Sequence, residues 1–339
     1  MAFSLRRLAL AIALLGSAPA LAESPAPRAE IRNLIDQGRA TGDERFYGYA
    51  EAKLSPLLAI TPEDPSLRML RAVIAQAGHD FDAALNDLDF VIDRSPRAAQ
   101  ARLTRAFLHM TRGAYDLAFT DCAAMPPSAG RLSRSACHAW LLGLTGDAAK
   151  GYALLDVALA AQPDASAGSR AWASSLLADM AWRLGDYDKA RLQFERALAL
   201  SAGSNRVASA YAQFKLERGE PQAALDLLVG AHPTDAVLLT RARAARALGR
   251  EDEESLAILH DRFTAGASIH LREHAIFALH LLEDPAKALD LAEANWATQR
   301  EPADLRLLVE AAEAAGTPRR ASVARAWQDT HGTEFGGRS

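Results

Sequence analysis

A surplus of charge of one sign is missing from this chain, and with it the basic stripe that a general nucleic-acid binder needs. Its 38 Lys and Arg stand against 42 Asp and Glu, for a net −4. Aromatic residues are scarce at 6%, and no segment alternates apolar and polar residues with period two, so strands are not expected. The signatures G-x-x-x-x-G-K-[ST], G-x-G-x-x-G after a strand and G-x-S-x-G are also absent. That removes the usual phosphate-cradling and serine-nucleophile chemistries. Cysteine occurs only as Cys122 and Cys137, which leaves one disulfide or two buried thiols.

What is present favours helices and a large core, since half the residues are apolar and Ala, Leu and Arg are abundant. The first residues read as an address. Arg6 and Arg7 precede the apolar run Leu8 to Leu15, and Ala20-Leu21-Ala22 offers the small-x-small cleavage pattern of a secretory signal peptide. The run is shorter than the ~20 residues that span a bilayer, and no Cys follows the cleavage point to take a lipid. Cleavage near Ala22 predicts a mature protein in the periplasm, or secreted, with no membrane span. It takes Arg6 and Arg7 with it, so 36 basic residues then face 42 acidic ones.

The chain repeats itself. Phe81-Asp82-Ala83-Ala84 recurs 34 residues later as Tyr115-Asp116-Leu117-Ala118, and Arg68 and Arg71 recur as Arg102 and Arg105. Gly185-Asp186-Tyr187-Asp188-Lys189-Ala190 restarts the pattern, and Ala224 follows Ala190 by another 34 residues. This period, built from two amphipathic helices, resembles the tetratricopeptide repeat (TPR) family. In that family one small residue in the first helix and another early in the second let the two backbones cross closely. Ala72, Ala106, Ala139, Ala178 and Ala212 occupy the first place here, and Ala84, Ala118, Gly151, Ala190 and Ala224 the second. Pro96 and Pro163 stand where the family stops its second helix. The stretch from Phe277 to Ala312 is similar to segments of exported TPR proteins of Gram-negative bacteria.

The resemblance implies an all-α, right-handed superhelical solenoid of about seven to eight antiparallel helix pairs. The expected organisation is a signal peptide over 1–22, a linker over 23–28 and a degenerate helix pair over 29–64. About five repeats follow over 65–233, then degenerate pairs over 234–330 and a disordered tail over 331–339. Longer helical repeats and leucine-rich repeats fit less well. Degenerate end repeats are expected where a terminal unit must face water.

The register also predicts a surface. In TPR proteins the first helices line the concave groove, and the resemblance places fifteen residues there. Met69, Val73, Phe107, Met110, Trp140, Trp172 and Trp182 form an apolar half, with Asp179 among them. Arg206, Gln213, Arg243, Arg246, His270, Glu273 and His280 form a polar half. Such a bipartite groove implies a protein or peptide partner with an apolar stretch and acidic residues. Tight winding that packs these side chains against one another is the alternative. Arg68, Arg71, Arg102 and Arg105 are read as packed and ion-paired between helices rather than as a basic stripe.

Two local features remain. Cys122 and Cys137 fall on consecutive helices joined by Met125-Pro126-Pro127, close enough for a disulfide contributing roughly 3 kcal/mol. His270-Leu271-Arg272-Glu273-His274 matches H-x-x-E-H, the zinc signature of inverted zinc peptidases. That enzyme needs a third ligand and a mixed α/β domain, whereas this motif sits inside a helical repeat. The expected function is therefore a non-enzymatic scaffold or assembly factor for an envelope complex, with no catalytic residue, metal or cofactor. A zinc-dependent peptidase and a purely architectural spacer are the alternatives.

Overall fold

The computed structural model describes residues 25–264 and 270–333. The expected signal peptide and residues 334–339 of the expected tail lie outside them. The described residues form eighteen α-helices and no strand. They pair in sequence: α1 (Pro25–Thr41) with α2 (Arg45–Ile60), α3 (Pro65–Ala77) with α4 (Phe81–Arg94), and α5 (Ala99–Thr111) with α6 (Tyr115–Ala123). Next come α7 (Arg131–Leu144) with α8 (Ala148–Ala160), α9 (Ala167–Arg183) with α10 (Tyr187–Leu200), and α11 (Asn205–Glu217) with α12 (Pro221–Leu227). The last three are α13 (Asp235–Ala247) with α14 (Glu253–Thr264), α15 (Leu271–His280) with α16 (Pro285–Trp296), and α17 (Pro302–Ala314) with α18 (Ser322–His331). The architecture is the all-α solenoid expected, with nine pairs rather than seven to eight. The additional pairs are degenerate ones, whose loose register hides them in the sequence. Two boundaries also move: α1 starts at Pro25, inside the expected linker. Residues 331–333 are packed rather than tail, with Thr333 buried.

Acidic residues of the repeat turns start the second helices. Asp80, Asp186 and Asp284 each accept a hydrogen bond from the backbone N–H three residues on, satisfying a donor that the helix leaves open. Asp64 does the same for α3, followed at once by Pro65, whose ring fixes φ for the first turn.

The small residues do what their spacing predicts. Ala72, Ala106, Ala139, Ala178 and Ala212 are fully buried, as are Ala84, Ala118, Ala190 and Ala224. Gly151 is the tightest crossing, because a Cβ there would lie 2.4 Å from the Ala139 carbonyl oxygen. A backbone oxygen cannot swing aside as a flexible side chain can. Gly151→Ala is therefore expected to destabilise the protein by about 1–3 kcal/mol through overpacking, despite a helix-propensity gain of up to about 1 kcal/mol. A thermal melt at or above the wild-type midpoint would show that the α7–α8 crossing has slack.

Each early pair is also tied by a buried carboxylate. Arg68 and Arg71 of α3 converge on Asp87 of α4, and Arg102 and Arg105 of α5 converge on Asp121 of α6. Asp87 and Asp121 are each 1% exposed, so these arginines fill their expected role as packing and pairing residues.

The solenoid then winds back onto itself. The Thr41 carbonyl, at the turn of the first pair, accepts a hydrogen bond from Asn205 Nδ2 (3.2 Å). His79, at the turn of the second pair, meets Gln299 Nε2 (3.4 Å), and its ring centroid lies 5.4 Å from that of His270. At the third turn the Arg300 N–H donates to the Thr111 carbonyl (2.7 Å), and Trp327 covers Gly113, leaving no room for a Cβ. At the fourth, Gly146 touches the Gly332 backbone and Thr333 donates to the Leu144 carbonyl (2.9 Å). Each early turn thus meets a loop about five to six pairs later along the chain. The edge of one superhelical turn forms a continuous seam with the next.

Candidate functional site: a cavity inside the wound solenoid

Winding at that pitch shapes what lies inside. In the first half the first helices close on one another. The rings of Phe107 (α5) and Trp172 (α9), two pairs apart, sit 5.5 Å centroid to centroid, and the Arg183 guanidinium covers Trp140 at 5.4 Å. In the second half the bore opens into a cavity of about 2110 Å³. Its walls are the first helices α11, α13, α15 and α17, together with the α1–α2 turn and His79 brought across by the seam.

Of the fifteen residues expected in a groove, Trp182, Arg206, Gln213, Arg243, His270, Glu273 and His280 line this one cavity. The apolar half of the expected groove is corrected. Val73 and Met110 are buried in the core, while Met69, Phe107, Trp140 and Trp172 pack at the closed end rather than along the cavity. The physical reason is the tight winding: large side chains on neighbouring first helices fill a narrow bore. Asp179 and Arg246 leave the set for a different reason. Asp179 binds Arg183 (2.7 Å), and Arg246 donates to the carbonyls of His280 (2.8 Å) and Leu281 (2.9 Å).

The cavity wall is a lattice of fixed charge pairs. His270 Nδ1 lies 2.9 Å from Asp235 and Nε2 2.8 Å from Glu44. The imidazole therefore joins α13 to the α1–α2 turn across the seam. Hydrogen bonds to Asp235 and Glu44 push its pKa up to about 10, against the opposing effect of burial. Burial acts to raise the Asp235 pKa, but hydrogen bonds from His270 and Arg262 hold it below the ordinary range. A raised folded-state pKa gives His270 a stabilising contribution that is complete below its unfolded pKa of 6.5 and lost as pH rises through about 10. NMR titration of the ring should show it still protonated at pH 8, and His270→Ala should flatten the alkaline limb of the stability profile. A ring that titrates near 6.5 would show that the clasp does not form.

Arg272 faces Asp304 (2.5 and 2.8 Å) and Glu301 (2.5 Å). Asp304, 1% exposed, also accepts from Asn295 Nδ2 (2.7 Å), whose Oδ1 accepts from Gln299 (3.0 Å). Arg306 makes two hydrogen bonds of 2.9 Å to Glu217. These groups, together with Ser209, His232 and Glu44, were not found from the sequence. Ser209 carried a signal, lying between Arg206 and Gln213 at helical spacing. Glu44 and His232 carried none, because only the seam brings them in.

The H-x-x-E-H motif is split by the fold. His270 precedes α15 and faces the two carboxylates, whereas His274 is buried with its ring stacked on Phe263, 4.7 Å between centroids and 5° between planes. Burial lowers the His274 pKa, which keeps that ring neutral. Among the described residues no group of three or more His, Cys, Asp and Glu has metal-holding geometry.

Away from the cavity, Cys122 and Cys137 are joined in a disulfide between α6 and α7, with Cα atoms 5.6 Å apart. Among the described residues no helix is long and apolar enough to cross a membrane.

No family model and no curated protein matches this chain. Among solved structures it is similar to yeast Tom70, at 16% identity over 93% of this chain and 70% of that one, with a TM-score of 0.49. It is similar to a human IFIT1 dimer with PPP-AAAA at 15% identity, over 84% and 68% of the two chains, with a TM-score of 0.48. It is also similar to a tetratricopeptide repeat protein from Parabacteroides merdae at 13% identity, over 84% and 99%, with a TM-score of 0.42.

Proposed function

We propose that this chain is a non-enzymatic binding scaffold of the TPR type, exported to the periplasm through residues 1–22, that holds a segment of a partner protein in its cavity. An envelope assembly complex is the setting that such an address favours. The observation that carries this reading is the cavity itself. At about 2110 Å³ it has about twice the volume of the largest ordinary small-molecule pockets. It is walled by four successive first helices that present charged and aromatic side chains. A peptide segment suits that volume and mixture better than a metabolite does.

Binding is favoured over catalysis by the state of the titratable groups. Asp235 is held by His270 and Arg262, Asp304 by Arg272, and Glu217 by Arg306. Groups locked in such pairs are poorly placed to move protons in a reaction cycle. The test is a benzophenone side chain introduced at Ala303, which is exposed and lines the cavity, with Val229, 82% exposed and outside it, as control. Irradiation of periplasm should link a defined protein to position 303 and not to 229, through one segment identified by mass spectrometry. Equal labelling at the two positions would sink the proposal.

A further inference from the structure

We propose that the first turn of α11 forms an oxyanion site inside the cavity, made by Arg206, Ser209 and the His232 ring, and that it takes a side-chain carboxylate of an acidic peptide segment. This rests on the reading that the cavity holds a partner segment.

Three unsatisfied polar groups converge there. Arg206 lines the cavity and makes no hydrogen bond or ion pair among the described residues, unlike Arg262, Arg272 and Arg306, which each face a carboxylate. The surrounding walls remove water from its guanidinium and push its pKa down, with no carboxylate to offset them. Ser209, one helical turn further on, shares that face of α11. It is 8% exposed, lines the cavity, and its hydroxyl has no partner. Rotation about χ1 is enough to turn that hydroxyl toward the cavity. His232 also lines the cavity, and its buried Nδ1 is unpartnered. Its backbone is fixed beside α11 by Asn205, which accepts from the His232 N–H and donates to the His232 carbonyl, both at 3.1 Å.

A native chain rarely leaves buried donors unmet, and a cluster of them in one wall points to a missing acceptor. The local field has the same sign. Arg206 is the second residue of α11, at the positive end of the helix dipole, where a cation is disfavoured and an anion favoured. A guanidinium fork with a hydroxyl beside it matches the two coplanar oxygens of a carboxylate. The nearby acids do not fill the site, because Asp43 is held by Arg45, and Asp235 by Arg262 and His270. Glu273, Glu310 and Glu313 elsewhere in the wall repel a polyanion, so an isolated carboxylate in a mixed segment fits better than polyphosphate or nucleic acid.

Panning a random decapeptide library on the full mature chain tests this. Selected peptides should carry Asp or Glu at one fixed position. Changing that residue to its amide in the synthetic peptide should weaken binding tenfold or more. In Arg206→Gln the amide penalty should fall to within twofold, and Ser209→Ala should reduce it by a smaller factor. Arg206 is exposed within the cavity, and its replacement should leave the thermal midpoint unchanged. Selected peptides without acidic enrichment, or a penalty that Arg206→Gln leaves intact, overturn the carboxylate site while the cavity reading stands. Selection of no peptide at all overturns both. Displacement of the selected peptide by millimolar phosphate but not by acetate would overturn the carboxylate assignment in favour of a phosphate site.

Discussion

Arg272→Ala is expected to destabilise the protein by about 3–5 kcal/mol, the usual consequence of stranding a buried charge. The Asp304 carboxylate it leaves behind is almost wholly buried. Asn295 and the Glu301 backbone N–H are its remaining partners. Burial already holds the Asp304 pKa above its ordinary value even though Arg272 opposes that shift. Without the guanidinium the carboxyl should be driven further toward its neutral form. The sign of the pH dependence follows. A folded state that binds the proton more tightly than the unfolded chain loses stability as pH rises. Urea denaturation should therefore find the variant's deficit largest near neutrality and smaller on acidification. A deficit below 1 kcal/mol at pH 7, or one that grows in acid, would mean that water reaches Asp304. The companion variant Arg272→Lys should recover only part of the loss, because an ammonium cannot serve Asp304 and Glu301 through one planar fork.

Loss of the disulfide is the second large effect. Cys122 and Cys137 close a loop with a sequence separation of 15, for which the chain-entropy estimate is about 3 kcal/mol. Both positions are fully buried, in the cluster formed by α5, α6 and α7. The bridge thus pins the third pair to the fourth where Pro126 and Pro127 interrupt the repeat. The double variant Cys122→Ala/Cys137→Ala should lower the denaturation midpoint by that amount, and wild-type protein treated with reductant should follow it. An unchanged midpoint, or two thiols that react freely with a maleimide in the native oxidised protein, would show that the bridge contributes nothing to the fold.

These two effects differ in how far the sequence announced them. The cysteines could be placed on consecutive helices from the 34-residue register alone, because two turns of a periodic pattern fix which positions adjoin. The same arithmetic located every small residue at a helix crossing. It could also have paired Arg71 with Asp87 and Arg105 with Asp121, since both members recur at the same spacing. The Arg272–Asp304 contact had no such announcement. It spans the eighth and ninth pairs, where the register has decayed, and no second copy of it exists to align.

The groove divides along the same line. Residues expected to be shared along one continuous surface were sorted by the winding into a packed end, with Phe107 against Trp172, and an open end around Arg206. Position on a first helix fixes that a side chain points inward. It does not fix how wide the space is when it gets there.

By itself, then, the sequence determined what is local and periodic: helices that pair every 34 residues, the small residues that let them cross, the acids that cap them and the cysteines that meet. Each of these depends on interactions within one repeat or between neighbours, where a few residues decide the outcome. Only the tertiary structure decided the pitch. The rotation between successive pairs is small, arises from many weak packing contacts, and accumulates over about five to six pairs before its result is felt. That accumulated turn brings Thr41 to Asn205, Glu44 to His270 and Leu144 to Thr333. It closes the first half of the bore and leaves the second half as a chamber.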